Sequence, residues 1–149
     1  MKSLAIKYSI GIALMLVAYF LLLKLIGLHN YPILSAFNGV IYGAGILLVI
    51  RRFKAENESF DYLNGFQLGL FTGAIATVMF SFFMALYIFQ IDTQFANAIL
   101  DSWGLKYNKG GLIIIVSLVM MGFSTTLVLT LAFMQLLKES WNTSKHVLK

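Results

Sequence analysis

The chain has 149 residues, of which 60% are hydrophobic and 11% charged, with a formal net charge of +5 and no cysteine. A soluble domain is only about half apolar and about a quarter charged, so this composition predicts a membrane protein. The absence of cysteine excludes disulfides, thiolate metal sites and thiol nucleophiles. Because no basic patch is interleaved with exposed aromatic residues, we expect no nucleic-acid partner and interpret the positive charge as an orientation signal.

Four apolar stretches are each long enough to cross a hydrocarbon core of roughly 30 Å, which takes about 20 residues. No small-residue cleavage site follows the first stretch, so we expect it to be retained as a membrane span. Pro32 suits the first turn of the second helix, where its missing N–H costs nothing. We therefore expect an all-α fold, with one integral membrane domain over 1–149 and a bundle of four transmembrane helices. The predicted spans are residues 6–28, 32–50, 65–91 and 111–137.

The segment between the third and fourth spans has apolar residues at helical spacing. Thr93 and Gly104 are suited to begin and to end a short helix there. The pattern is typical of a helix that lies flat at the membrane surface, and an ordinary loop is the alternative. The apolar residues are Phe95, Ile99, Leu100 and Trp103.

The basic residues are distributed unequally between the two sides of the membrane. Eight fall on the side of the chain termini: Lys2, Lys7, Arg51, Arg52, Lys54, Lys138, Lys145 and Lys149. Three fall on the other side: Lys24, Lys106 and Lys109. Because cytoplasmic loops carry the excess of lysine and arginine, the distribution predicts that both termini and the 51–64 loop are cytoplasmic.

A row of small residues at every fourth position runs through the third span, which is the small-xxx-small signature of close helix packing. The row is Gly65, Gly69, Gly73, Thr77, Ser81 and Ala85, and the second span has a shorter one at Ser35, Gly39 and Gly43. Four residues overshoot a helical turn by about 40°, so the row winds about 200° around the helix over its five steps.

We therefore predict two partners for the row in the third span. The glycine half should pack on a helix of the same chain, and the Thr77, Ser81 and Ala85 half on a different helix, which another subunit could supply. On this interpretation Gly69→Leu damages the fold, whereas Ser81→Leu mainly damages assembly.

Few polar groups lie inside the predicted spans. Lys24 is the only charge within one, and its ammonium either reaches the interface along its flexible stem or pairs with Asp92 at similar depth. Asn38 lies beside Gly39 and is expected to form an interhelical hydrogen bond worth roughly 0.6 to 2 kcal/mol, with contact to a substrate as the alternative.

Signatures of enzymes and metal sites are absent from the sequence. Neither G-x-S-x-G nor H-E-x-x-H occurs, and His29 and His146 lie far apart in polar segments. We therefore expect no catalytic residues, no metal and no cofactor. An oligomer could line a pore with Thr77, Ser81 and Thr126.

Three short motifs carry a resemblance to a known family. They are R-R-F-K at 51–54, Ser59-Phe60, and G-F-Q-L-G at 65–69, placed between a first helical hairpin and a long third span. In this layout the chain resembles a family of small bacterial four-span membrane proteins that is catalogued as a domain of unknown function. The resemblance implies four helices in a bacterial inner membrane, and it implies no activity.

These features lead us to expect a non-enzymatic integral membrane protein that acts through helix–helix packing. It would be a subunit or scaffold of a membrane assembly, or a homo-oligomer, with the lipid bilayer and itself or other membrane proteins as partners. The alternative is a small channel or transporter formed by oligomerisation, for which flux should depend on Thr77 or Asn38. The sequence identifies no small-molecule ligand.

Overall fold

The computed structural model describes residues 1–28, 31–57, 61–102, 104 and 110–137. These residues form helices and no strand, and α3 continues directly into a π-helical segment, Tyr87–Ile91. Four of the helices are long and apolar enough to cross a membrane, so the predicted all-α bundle with four transmembrane helices is confirmed. The helices are α1 Lys2–Leu25, α2 Pro32–Glu56, α3 Tyr62–Leu86, α4 Phe95–Ser102 and α5 Gly110–Leu137.

The helix ends differ from the predicted spans mainly in α2. This helix continues to Glu56, beyond the predicted end at residue 50, and Arg52 pairs with Glu56 one turn further on at 2.5 Å. Arginine, lysine, alanine and glutamate are good helix formers, so the helix persists after the apolar stretch ends. At the start of α3, the carboxylate of Asp61 accepts a hydrogen bond from the Leu63 N–H at 3.3 Å and caps the helix.

The third helix is the centre of the bundle. It packs against α1, α2 and α5, and α2 packs in addition against α1 and α5. We call the end of the bundle at which α1 begins and α5 finishes the terminal end, and the opposite end the α4 end. The core is tightest toward the terminal end, where Ile46, Val49, Ile50, Leu68 and Met134 have at most 1% of their surface exposed.

The glycine half of the small-residue row packs on α5 of the same chain. A Cβ added to Gly69 would lie 2.5 Å from Thr130 Cγ2, and a Cβ added to Gly73 would lie 2.5 Å from Thr126 Oγ1. Real Cβ atoms do not approach other atoms so closely. Only glycine at these two positions therefore allows α3 and α5 to lie at their observed separation. Gly65, at the start of the row, is also buried.

At Thr77 the other half of the row has a different helix as a partner, α2, because the Thr77 hydroxyl lies 2.6 Å from the Tyr42 hydroxyl. Thr77 meets α5 again, because a Cβ added to Gly122 would lie 2.6 Å from Thr77 Oγ1. Ser81 is 5% exposed within the single chain, and Ala85 is half-buried. The helix α5 follows the winding of the row from Gly69 to Thr77, with Thr130 and Thr126 opposite the two glycines and Gly122 opposite Thr77.

The small residues of α2 behave differently from the prediction. Gly43 makes ordinary contacts with Leu129 of α5, at 3.5 Å from its added Cβ, but an added Cβ on Gly39 would meet nothing within 4 Å. Gly39 is therefore not at a close helix contact within the chain. The close contact of α2 is instead at Gly45, whose added Cβ would lie 2.6 Å from Ile12 Cδ1 of α1.

The segment after α3 contains a helix, α4, and the loop alternative is wrong. Its apolar side faces the bundle, since Phe95, Ala96 and Leu100 are at most 4% exposed. The cap is Asp92, which accepts a hydrogen bond from the Phe95 N–H at 3.0 Å, rather than Thr93. Trp103 lies outside the described residues, as do His29, Ser59, Phe60, Lys106, Lys109 and the whole 138–149 tail.

Candidate functional site

A cavity of about 480 Å³ lies inside the bundle at the α4 end, and all five helices contribute to its wall. The wall is largely apolar. Its main apolar residues are Leu16, Phe20, Phe80, Met84, Phe95 and Ile114, and each of these is at most 8% exposed. The cavity therefore extends into the bundle interior, and it is open on one side.

The first half of α2 contributes small residues to the cavity wall. These residues are Ala36 and Gly39, and an added Cβ on Gly39 would meet nothing within 4 Å. This part of α2 is attached to α1, because the Tyr19 hydroxyl donates a hydrogen bond to the Leu34 carbonyl oxygen at 2.9 Å. The exposed residues of the cavity wall lie on α2 and α5, so the opening is a lateral gap between these two helices. They are Tyr31, Ala36, Gly39, Ser117 and Met121.

The floor of the cavity is a cluster of hydroxyl groups at the centre of the bundle. The Tyr42 hydroxyl lies 2.5 Å from the Gly73 carbonyl oxygen and 2.6 Å from both Thr77 Oγ1 and Thr126 Oγ1. Thr126 Oγ1 lies in addition 2.7 Å from the carbonyl oxygen of Gly122. Tyr42 and Thr77 line the cavity, and the cluster joins α2, α3 and α5.

This cluster has fewer protons than contacts. The hydroxyls of Tyr42, Thr77 and Thr126 carry one proton each, and the carbonyls of Gly73 and Gly122 only accept. Three protons cannot serve the four contacts at once. The carbonyl oxygens of Gly73 and Gly122 lie inside helices and also accept the backbone N–H four residues further on, so at any moment one of the four contacts lacks a proton while neither carbonyl lacks a donor.

Asn38 lines the cavity one helical turn before Tyr42. The predicted interhelical hydrogen bond is not formed: Asn38 Oδ1 is buried and has no partner among the described residues. The oxygen has almost no accessible surface, so it does not face the open part of the cavity. The polar residues of the wall are Tyr31, Asn38, Tyr42, Thr77, Ser117 and Thr125.

The roof of the cavity is an aromatic cluster centred on Tyr87, the first residue of the π-helical segment. Phe20 and Phe95 meet the Tyr87 ring edge to face, with ring centroids 4.8 and 5.4 Å away. Such pairs add about 0.5 to 1.5 kcal/mol each beyond the area that they bury. The cluster fixes α4 over the end of the bundle and closes the cavity on that side.

Lys24 and Asp92 meet Tyr87 rather than each other. The Lys24 ammonium lies 4.4 Å from the centroid of the Tyr87 ring, and the Tyr87 hydroxyl donates a hydrogen bond to Asp92 Oδ2 at 3.2 Å. These two side chains form no direct ion pair in the described part of the chain. The sequence-based pairing is corrected accordingly, because the phenol lies between the two charges.

A charge swap tests this arrangement. We expect Lys24→Glu and Asp92→Lys each to destabilise the protein by about 1 kcal/mol, the first by losing the cation–π contact and the second by losing the α4 cap. The double variant should recover none of this loss, since the new lysine cannot cap α4 and the new glutamate faces an aromatic ring. Thermal unfolding in mild detergent measures the stability of each variant, and recovery of stability in the double variant would indicate a direct ion pair.

Comparison with protein-family models, with curated proteins and with solved structures finds no match to this chain. Within the described residues there is also no group of three or more histidine, aspartate or glutamate side chains that could hold a metal ion. The function is therefore argued from the cavity. The sequence analysis did not single out Tyr42, because a single tyrosine in a span does not indicate which hydroxyls surround it.

Proposed function

We propose that this chain is a non-enzymatic integral membrane protein that binds a small, mostly apolar molecule in the cavity at its α4 end. The cavity of about 480 Å³ carries this proposal, because ligand sites typically measure about 300–1,000 Å³ and combine an apolar wall with a few convergent polar groups. The excess of basic residues near the chain ends supports cytoplasmic termini, which would place the cavity in the outer half of the membrane. The family resemblance supports a bacterial inner membrane.

Assembly through the small-residue row, the function that the sequence favoured, has less support. Gly69, Gly73 and Thr77 are in contact with α5 of the same chain, so α3 has no spare strip of small residues there for another subunit. The transport alternative would use the same cavity as ligand binding, because Asn38 and Thr77, on which flux is expected to depend, both line it. A carrier is therefore the form of the transport alternative that the geometry favours over an oligomeric pore.

Photolabelling with adamantyl diazirine, a small neutral apolar probe, tests the proposed function. Met84 lines the cavity and is 4% exposed, whereas Met120 is 64% exposed and lies outside the cavity wall. We expect saturable labelling at Met84 and non-saturable labelling at Met120, measured by mass spectrometry of the reconstituted protein. Labelling of Met84 that rises linearly with probe concentration would contradict a binding site.

A matched pair of substitutions locates the binding. Gly39 and Gly11 both lie inside helices, and an added Cβ on either meets nothing within 4 Å, but only Gly39 lines the cavity. Leucine at either position suits the helix better than glycine. We expect Gly39→Leu to reduce saturable labelling of Met84 about tenfold by narrowing the cavity, and Gly11→Leu to leave it unchanged. Equal labelling in the two variants would place the bound probe elsewhere.

A further inference from the structure

We infer that the molecule in the cavity is a membrane lipid, one acyl chain of which lies inside while its head group stays at the membrane surface of the α4 end. The chain enters through the lateral gap between α2 and α5, with its methyl end on the floor and its ester end beside Tyr31. This inference rests on the proposed function, namely that the cavity binds an apolar molecule, and it adds the source and the orientation of that molecule. It depends on the position of the gap, the shape of the cavity and the placement of the polar wall residues.

The cavity opens toward the bilayer. Its exposed wall residues lie on α2 and α5, and both helices are long and apolar enough to cross a membrane. Phe37 and Val40, which flank the gap on α2, are 59% and 66% exposed, as expected of side chains that contact lipid. Toward the aqueous phase, the aromatic roof around Tyr87 closes the cavity. The direct way in is therefore from the hydrocarbon of the bilayer.

The cavity is elongated along the helix axes. Its wall extends from Ile114 to Thr125 on α5 and from Thr77 to Met84 on α3, which at 1.5 Å for each residue gives lengths of about 16 and about 10 Å. At about 30 Å³ for each water-sized group, the volume of about 480 Å³ accommodates roughly fifteen such groups. This is the size of one acyl chain and not of two. Since the long helices cross the bilayer, a chain in this cavity lies roughly parallel to the chains of the adjoining leaflet.

The wall excludes the head group of the lipid. None of the described residues that line the cavity carries a charge. A phosphate or ammonium group within such a wall would lose its water without gaining an ionic partner, which is strongly unfavourable. The lateral gap allows the head group to stay outside, because a chain inside the cavity remains joined to it through the gap.

The exposed polar residues of the wall lie in the gap and at the α4 end. Tyr31, at the start of α2, is 58% exposed, and Ser117 is exposed in the gap. Deeper in the cavity, Asn38 Oδ1 has almost no accessible surface, and the Tyr42 hydroxyl meets Thr77 Oγ1 at 2.6 Å. A methyl end against this floor leaves no polar group of the lipid unpaired, whereas the ester oxygens can accept a hydrogen bond from the Tyr31 hydroxyl.

Two phosphatidylcholine probes test the presence and the direction of the chain. They share one head group, and one acyl chain carries a diazirine either near the ester or near the methyl end. The full-length protein is reconstituted in phosphatidylcholine vesicles that contain one probe, irradiated, and analysed by mass spectrometry. We expect the ester-end diazirine to modify mainly Met84 and the methyl-end diazirine to modify mainly Thr77, so that the ratio of Met84 to Thr77 labelling reverses between the probes.

Exposed neighbours on α3 are the controls for contact with the surrounding bilayer. Val78 and Leu86 lie at nearly the same depths as Thr77 and Met84, but they are 56% and 47% exposed, whereas Thr77 and Met84 are 3% and 4% exposed. Bilayer lipid therefore labels Val78 and Leu86 whether or not the cavity is filled. A chain inside the cavity should label the two buried residues to a comparable extent.

Closing the gap should keep the chain out. Ser117→Phe places a large ring in the gap, and we expect it to lower the labelling of Thr77 and Met84 by both lipid probes about tenfold, because a chain joined to an outside head group needs the gap open. Ser124→Phe is the matched control, since Ser124 is exposed on the same helix but outside the cavity wall. It should leave the labelling unchanged.

The outcomes separate this inference from the proposed function. If adamantyl diazirine labels Met84 saturably but neither lipid probe modifies Thr77 or Met84, the ligand is not a lipid chain while the binding site stands. If the labelling ratio is the same for both lipid probes or the opposite of that expected, the direction of the chain is wrong. Equal labelling in Ser117→Phe and Ser124→Phe would rule out the gap as the route.

If the lipid probes leave both buried residues unmodified and adamantyl diazirine labels Met84 only in proportion to its concentration, the inference and the proposed function both fail. The comparison of the two lipid probes in the unsubstituted protein is decisive even if Ser117→Phe does not fold.

Discussion

Gly69→Leu is expected to prevent the bundle from reaching its folded state, whereas Gly11→Leu should leave it intact. An added Cβ on Gly69 lies 2.5 Å from Thr130 Cγ2 and 3.2 Å from Ile50 Cδ1, while one on Gly11 meets nothing within 4 Å. Thr130 is fully buried, and its branched Cβ leaves it little rotamer freedom. The helices α3 and α5 must therefore move apart. Overpacking by small increments already costs about 1–3 kcal/mol, and leucine adds several carbons.

Size-exclusion chromatography and thermal unfolding in mild detergent measure this effect. The expected result is aggregated or unfolded Gly69→Leu beside a monodisperse Gly11→Leu with the melting temperature of the unsubstituted protein. A folded and stable Gly69→Leu would show that α5 does not pack on the glycine half of the row.

A compensating substitution identifies the clash itself. Thr130 Oγ1 has no hydrogen-bond partner in the described part of the chain, so Thr130→Ala removes a buried unsatisfied hydroxyl and should cost little. We expect Gly69→Ala to destabilise the protein by about 1–3 kcal/mol and Thr130→Ala to recover about 1 kcal/mol or more of that loss in the double variant. Strictly additive effects would mean that the two residues do not meet.

Tyr42→Phe is expected to destabilise the protein by about 1–3 kcal/mol. The phenol connects α2 to the Gly73 carbonyl oxygen of α3 and to the threonine hydroxyls of α3 and α5, all within 2.6 Å. Removing its oxygen leaves these buried groups with fewer hydrogen-bond partners. Denaturation in increasing fractions of sodium dodecyl sulfate measures the change in the free energy of unfolding.

Tyr62→Phe is the control for this prediction. The Tyr62 hydroxyl lies at an exposed position, 3.5 Å from Gln135 Nε2, so its loss should change the free energy of unfolding by less than about 0.5 kcal/mol. Equal effects of the two substitutions would show that the hydroxyl cluster contributes nothing to the stability of the bundle.

The number and type of the helices could be predicted from the sequence, because they depend on local properties. Apolar stretches of sufficient length indicate spans wherever they occur, and Pro32 suits the first turn of α2 irrespective of its neighbours. The row from Gly65 to Ala85 also showed correctly that α3 is approached closely. The end of α2 was misplaced because hydropathy reports the membrane boundary and not the end of the helix.

The partners of each residue could not be predicted, because they depend on how the helices cross and rotate. Gly39 and Gly69 belong to the same kind of pattern, yet only Gly69 meets another helix closely. Asn38 Oδ1 has no partner among the described residues, and Lys24 does not pair with Asp92 because Tyr87 lies between them.

The sequence by itself determined a four-span helical membrane protein with one closely packed central helix. The tertiary structure decided that α5 packs along the small residues from Gly69 to Thr77, that Gly39 of α2 has no close neighbour, and that a cavity lies among the five helices. The physical reason is that hydropathy and small-residue spacing are properties of one helix, whereas a cavity is the space left among several.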